Sequence, residues 1–294
     1  MTTGLPQVTE NSRVHFDIYA ILEGSQELYL GHEVQVNVNM VEIVKLSTKD
    51  GKSLEKCYIS PTKRRGVERR CLIWSPYKDG TLLGDKLECG IPATCAKVDC
   101  PICSTFGGLI AGQRTLIGRV THGGGVAIQD IYPEEKQRAM HPSRLATPAD
   151  GKEKDTPTPF KRQYNQPGIL YPVSNHCLSI TDQDFAAVAY AFLDALPRIG
   201  SGNPKGVAIA EDSESKTPLI VVDRYLVPKG KRPVISPSVT DPQAAIADFL
   251  RLAHTPQASG DHLQVDHFER WIGDEALKKL QEYSSQFVEN VLQK

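Results

Sequence analysis

The sequence predicts an α+β fold, and three observations carry the prediction. Val14, Phe16, Ile18, Ala20 and Leu22 alternate with His15, Asp17, Tyr19 and Ile21, the period of a half-buried strand. Phe185, Val188, Ala189, Phe192 and Leu196 recur along one helical face behind a Thr181/Asp184 capping box, and Pro197 ends the run. Strand and helix patterns then follow one another without a regular βαβ repeat, which favours an antiparallel sheet with packed helices over a doubly wound one. At 294 residues the chain holds one large or two modest domains with ample core. Its net charge of −1 excludes a uniform polycation. No signal peptide and no apolar run long enough to span a bilayer is evident, so a cytoplasmic location is expected.

In chain order, residues 1–12 read as a loose arm and 14–22 as the first strand, turned at Gly24 and Ser25. Val34, Val36, Val38 and Met40 form a second alternation. A short helix is expected over 62–73, capped by Ser60 or Thr62 with Pro61 at its entrance. Leu116–Val120 and Val126–Ile131 read as strands separated by Gly123-Gly124-Gly125. Residues 133–168 form a long polar stretch, rarely inert in a compact domain. Strand follows at Ile169–Ile180, then the helix near 183–196, then strands at Val207–Ala210 and Leu219–Val227. The tail reads as helices near 242–254, 264–272 and 274–292, amphipathic and hence packed.

Two clusters carry the chemistry. Cys89, Cys95, Cys100 and Cys103 have the spacing C-x5-C-x4-C-x2-C. In a reducing compartment, clustered thiols hold metal more often than they form disulfides, and four thiolates suit a closed tetrahedral Zn²⁺ site. Cys57, Cys71 and Cys177 lie outside the cluster and read as ordinary small core or surface residues. The second cluster is Lys56, Lys63, Arg64, Arg65, Arg69 and Arg70 against Glu68 alone. Cations at a helix start oppose the helix dipole, and a phosphate there would reward them; a solvated charged face is the alternative. The tail from Asp241 is acidic, with nine acids against five bases. Gly200, Gly202 and Gly206 lie in RIGSGNPKG, which lacks the Gly-Lys-Ser/Thr ending of a phosphate loop. Asp50, in STKDGKS, is the one aspartate between Asp17 and Tyr58; a surface Asp-Gly is usually a plain turn. His15 is a lone strand histidine with no visible catalytic partner.

The order of these pieces resembles the backbone subunits of CRISPR effector complexes in the RAMP superfamily, above all those of type III, type I-D and type IV. Those relatives contact guide RNA through Tyr-Ile-Pro-x-Ser-Ser-Leu-Lys-Gly-x-x-Arg. Tyr58-Ile59-Ser60-Pro61-Thr62 and the basic run after it stand in that place, although the second serine and the leucine are absent. Their cysteine-rich stretch ends Cys-x-x-Cys-x-x-Phe-Gly, matched by Cys100, Cys103, Phe106 and Gly107. The resemblance covers roughly residues 10–227 and leaves out the acidic tail.

It implies an RRM-like (ferredoxin-like) core over 10–240, with strands near 14–22, 169–180, 207–210 and 219–227 and helices on one side. Residues 75–110 would be a zinc-binding insertion and 126–180 a thumb hairpin, and 241–294 a helical extension. The implied function is to bind crRNA, to oligomerise head to tail with copies of itself and other effector subunits, and to present the guide to target DNA or RNA. Thr62, Lys63, Arg64, Arg65, Arg69 and Arg70 would line the RNA track, joined by Arg198, Gly200, Gly202, Lys205 and Gly206, with Lys161 and Arg162 on the thumb. Type III relatives cleave target RNA with an aspartate before the basic motif, a role only Asp50 could fill here. A zinc-stabilised nucleic-acid adaptor outside CRISPR would share the cysteines and the basic run but need no filament.

Overall fold

The computed structural model describes residues 13–35, 38–48, 50–140, 158–200, 206–226, 234–255 and 268–294. In order, the chain forms β1 (Val14–Gly24), β2 (Gly31–Gln35), β3 (Val38–Val41), β4 (Ile43–Ser47), β5 (Ser53–Cys57), α1 (Pro61–Ile73), α2 (Leu83–Lys86), α3 (Pro101–Phe106), β6 (Gly108–Ile110), β7 (Arg114–Leu116) and β8 (Val120–Gly124). There follow β9 (Glu134–Met140), β10 (Thr158–Tyr164), β11 (Leu170–Ile180), α4 (Asp182–Ala195), β12 (Val207–Ile209), β13 (Ile220–Tyr225), α5 (Ala245–His254), β14 (Phe268–Ile272) and α6 (Asp274–Phe287). The fold is mixed α+β. Its main sheet runs β14-β13-β1-β11-β8, with β12 also on β1, and every pairing in it is antiparallel.

β1 is central, and both its faces are buried rather than one. Phe16, Ile18, Ala20 and Leu22 face a core shared with α1, α4 and α6. Tyr19 and Ile21 face a second core against Phe249, Ala245 and Ala253 of α5. Helices therefore cover both sides of the sheet, not one, because the tail returns to the far face. The strongest aromatic contact of the first core stacks Phe16 on Phe185 at 3.8 Å, with Tyr283 of α6 edge-on at 4.9 Å to Phe185. α4 starts as its sequence predicts: Thr181 accepts from the Asp184 amide at 3.0 Å. The Asp184 carboxylate does not close the box; it accepts from Ser104 Oγ at 2.8 Å and so ties α3 to α4.

Further element expectations are corrected. Leu116–Val120 is not one strand: β7 ends at Leu116 and β8 begins at Val120. Residues 126–131 form no strand: Gly124 and Gly125 take positive φ and end the ladder, leaving a single bridge from Val126 to Tyr58. The residues placed in a helix over 264–272 instead form β14 as far as they are described, paired with β13. Arg270 there holds Asp223 through two 2.7 Å bonds. The tail is thus built into the main sheet, and α6 packs on α4.

The long polar stretch contains the antiparallel hairpin β9–β10, whose β10 also pairs in parallel with β3. Its base is fixed by the bridge Leu28–Asn165. No described helix is long and apolar enough to cross a membrane.

Candidate nucleic-acid interface

The basic run lies on α1, whose N-cap is Ser60, although the Ser60 hydroxyl makes no capping bond. The first turn holds no acid, so nothing in it offsets the cations near the helix start. The structure then divides the run three ways.

Arg64 is a correction to the predicted track: it is 1 % exposed and cannot meet a ligand at the surface. Its guanidinium donates to Asn175 Oδ1 at 3.0 Å, the Gly123 carbonyl at 2.5 Å and the Ser174 carbonyl at 3.3 Å. Asn175 in turn donates to Glu68 at 2.9 Å, and His122 Nε2 meets the same carboxylate oxygen at 2.8 Å. Burial pulls the Arg64 pKa down to about 10, against the opposing field of Glu68. It remains charged at neutral pH, a cation enclosed in a hydrogen-bonded network.

Lys63 is half-buried and paired with Glu42 at 2.9 Å. Glu42 follows Val41, whose amide donates to Gln163 on β10, so this pair joins the start of α1 to the hairpin sheet.

Arg65 and Arg69 are one helical turn apart. Arg65 donates to the Phe106 carbonyl at the end of α3. Its pKa is lowered, first by burial and then by the positive field of Arg69. Arg69 has Nε and Nη2 shielded from water and without any acceptor. Neither forms an ion pair among the described residues. Thr62 is exposed in the first turn, and Arg70 is half-buried in the last.

Lys161 and Arg162 lie on β10; Lys161 pairs with Glu135 at 2.7 Å, and Arg162 sits over the Tyr29 ring at 4.7 Å. Arg198 is exposed and pairs with Asp194 at 2.9 Å. Gly200 abuts Leu28, and the Gly206 carbonyl accepts from Ser25, so both glycines lie by the hairpin base. Gly202 and Lys205 lie outside the described residues. Asp50 occupies the exposed tip of the β4–β5 hairpin, bonded to Thr48 Oγ1 and paired with Lys52 at 3.0 Å. His15 Nδ1 accepts from the Ser179 amide at 3.1 Å, a structural bond.

The cysteines converge. The Sγ atoms of Cys89, Cys95, Cys100 and Cys103 lie within 4.8 Å of one another, with Cys89–Cys103 at 3.4 Å and Cys95–Cys103 at 3.7 Å. Tetrahedral Zn–S bonds of about 2.3 Å set sulfurs about 3.8 Å apart, so the group fits a metal ion of that kind. A bond from the Cys100 thiol holds Cys89 down to about 5; the same bond raises Cys100, and burial raises Cys103 to about 12. Gly108 lets β6 close on the knuckle: a Cβ there would stand 2.8 Å from Cys103 Sγ and 3.0 Å from Ala96 Cα. Sequence reading singled out all four clustered cysteines; it missed the Arg64–Asn175–Glu68–His122 network, for which no local motif exists.

No protein-family model matches the chain, and no curated protein matches it. Among solved structures, it is similar to Csc2 of Thermofilum pendens at 14 % identity, covering 98 % of this chain and 94 % of that one with a TM-score of 0.47. It is also similar to a chain of a Type IV-B CRISPR complex at 13 % identity, covering 75 % and 95 % with a TM-score of 0.38.

Proposed function

We propose that the chain is a crRNA-binding backbone subunit of a CRISPR effector complex, which assembles head to tail along the guide in the cytoplasm and presents it to target nucleic acid. The observation that carries the reading is the Arg65–Arg69 pair. Two like charges one turn apart destabilise a helix unless an anion joins them. Arg69 is half-buried and the protein offers no acceptor to its Nε and Nη2; a turn of the side chain would bring them to a phosphate at the surface. A phosphate supplies the charge and takes a guanidinium fork in two bonds. Phosphate contacts hold RNA without reading sequence, which suits a subunit that must carry any guide. One Zn²⁺ on the four cysteines would fix α3, whose last carbonyl orients Arg65. The reading is one of binding; cleavage by Asp50, which is bonded to Thr48 and Lys52 in its own turn, is the alternative.

The test is RNA binding across a salt series for wild type and Arg65→Ala/Arg69→Ala, with melting curves alongside. The variant should bind every sequence more weakly, with a salt slope flatter by about one unit per lost phosphate contact. Equal affinity and an equal slope would refute the reading. Particles that do not lengthen with RNA length would instead favour a single-copy adaptor.

A further inference from the structure

We infer that the groove beside the cysteine knuckle receives residues 227–233 of a second copy of this chain. The groove, about 520 Å³, lies between the end of α1 and the loop that carries Cys89. Ile73, Trp74, Leu82, Ile91 and Pro92 line it. Trp74 is 60 % exposed, Ile91 57 % and Leu82 37 %. Large apolar groups gathered on one concavity mark an interaction site, unlike the scattered exposed residues of an ordinary surface.

Charge chooses the occupant. Asp85 and Glu88 lie on the same groove, both exposed. Asp85 makes no ion pair among the described residues, and Lys97 approaches Glu88 only to 4.0 Å. These carboxylates would repel a phosphate backbone, so a cationic peptide with apolar or proline residues fits better. The chain has a segment of that chemistry in Val227-Pro228-Lys229-Gly230-Lys231-Arg232-Pro233, three cations and no acid. Its flanks, Leu226 and Val234, are 40 % and 54 % exposed.

The chain leaving the segment and the groove itself lie by different cores. Ile235 belongs to the core under α5, whereas Ile73, Leu83 and Cys89 belong to the core on the other face. Seven residues tethered at both ends reach out and back about 12 Å. A sheet and a helical layer together are thicker, about 20 Å. The groove is therefore filled from a neighbour. A contact between two unlike patches propagates instead of closing in a pair. The inference gives a surface to the self-assembly in the proposed function, on which its biological purpose rests, but the contact itself needs no RNA.

The chain's two tryptophans are Trp74 and Trp271. Trp271→Phe leaves Trp74 as the sole reporter. Full-length, zinc-loaded Trp271→Phe protein is titrated, without RNA, with a synthetic peptide of residues 226–234. Trp74 emission should shift to the blue saturably, and the affinity should weaken with salt. Asp85→Lys/Glu88→Lys should weaken peptide binding by about tenfold or more. A peptide with glutamate at 229, 231 and 232 should bind the reversed groove and not the native one. No saturable shift by about 1 mM peptide, the weak end of useful affinity, would overturn the inference. Equal binding to native and reversed grooves would also overturn it. Should RNA binding fail while this exchange of charges holds, the contact stands and only its purpose in a guide complex falls.

Discussion

Arg64→Ala separates a residue that holds the fold from one that holds a ligand. The substitution removes the cation that faces Glu68 inside the core and strips partners from Asn175 Oδ1 and the Gly123 and Ser174 carbonyls. Breaking a buried, hydrogen-bonded charge network from one side costs about 3–5 kcal/mol, because the other charge stays enclosed. An unfolding entropy of about 2.1 cal/mol/K per residue over 294 residues is roughly 0.6 kcal/mol/K. The melting temperature should therefore drop by about 5–8 °C. Glu68→Gln should couple to it by about 1–3 kcal/mol in a double-mutant cycle. Melting curves and RNA titrations are run together, the latter well below the lowered transition. Arg64→Ala should melt early and bind RNA with an unchanged salt slope, whereas Arg69→Ala should do the reverse. An Arg64→Ala protein that melts like wild type but has lost RNA binding would refute the burial argument and return Arg64 to the RNA track.

Metal analysis should find about one zinc per chain, and Cys103→Ser should lose it and lower the melting temperature, since a closed four-thiolate site contributes directly to folding; unchanged zinc content would remove the site. Phe185→Ala should cost about 3–5 kcal/mol, and removing 274–294 should leave an insoluble chain, because Phe16, Phe185 and Tyr283 share one aromatic contact; a folded truncation would make the tail an appendage after all. Lys56 is fully buried, with Nζ bonded to the carbonyls of Ile128 and Val239 and paired with Asp130. Lys56→Met should therefore free the 234–239 segment to proteases; an unchanged digestion pattern would count against that clamp. Asp50→Ala should leave melting and RNA binding unchanged, and loss of target-RNA cleavage in an assembled complex would make Asp50 catalytic instead.

The elements legible in the sequence are those whose signal is local. The alternation over 14–22 and the Thr181 helix need no distant partner to be read, and both stand where they were expected. The cysteine spacing was readable too, although the intervals are irregular, because α3 and the loop before it bring the thiols together. What could not be read depends on residues far apart. The pairing of β3 with β10 joins positions more than a hundred residues apart, and only the folded chain shows it. FERWI could sit in a helix or a strand; the Arg270–Asp223 pair on β13 decides for the strand. In β1, Tyr19 and Ile21 alternate with apolar residues, yet both faces are buried, since α5 returns to cover the second.

α1 was the hardest to read because its buried stripe begins with charge. Arg64 and Glu68 occupy the i and i+4 positions where a core helix normally carries apolar groups, and the apolar part of the stripe, Cys71, Leu72 and Ile73, comes only at its end. A pattern argument places five neighbouring bases on one solvated or phosphate-facing surface. The helix instead spends one of them on an internal network and one on an ion pair with Glu42. It leaves two, Arg65 and Arg69, adjacent and uncompensated. Packing gives both Nη groups of Arg64 carbonyl or amide acceptors and leaves only its Nε without one. Arg69 differs in degree: both Nε and Nη2 lack a protein acceptor, and Arg65 one turn away carries a like charge, a pairing that an anion would relieve.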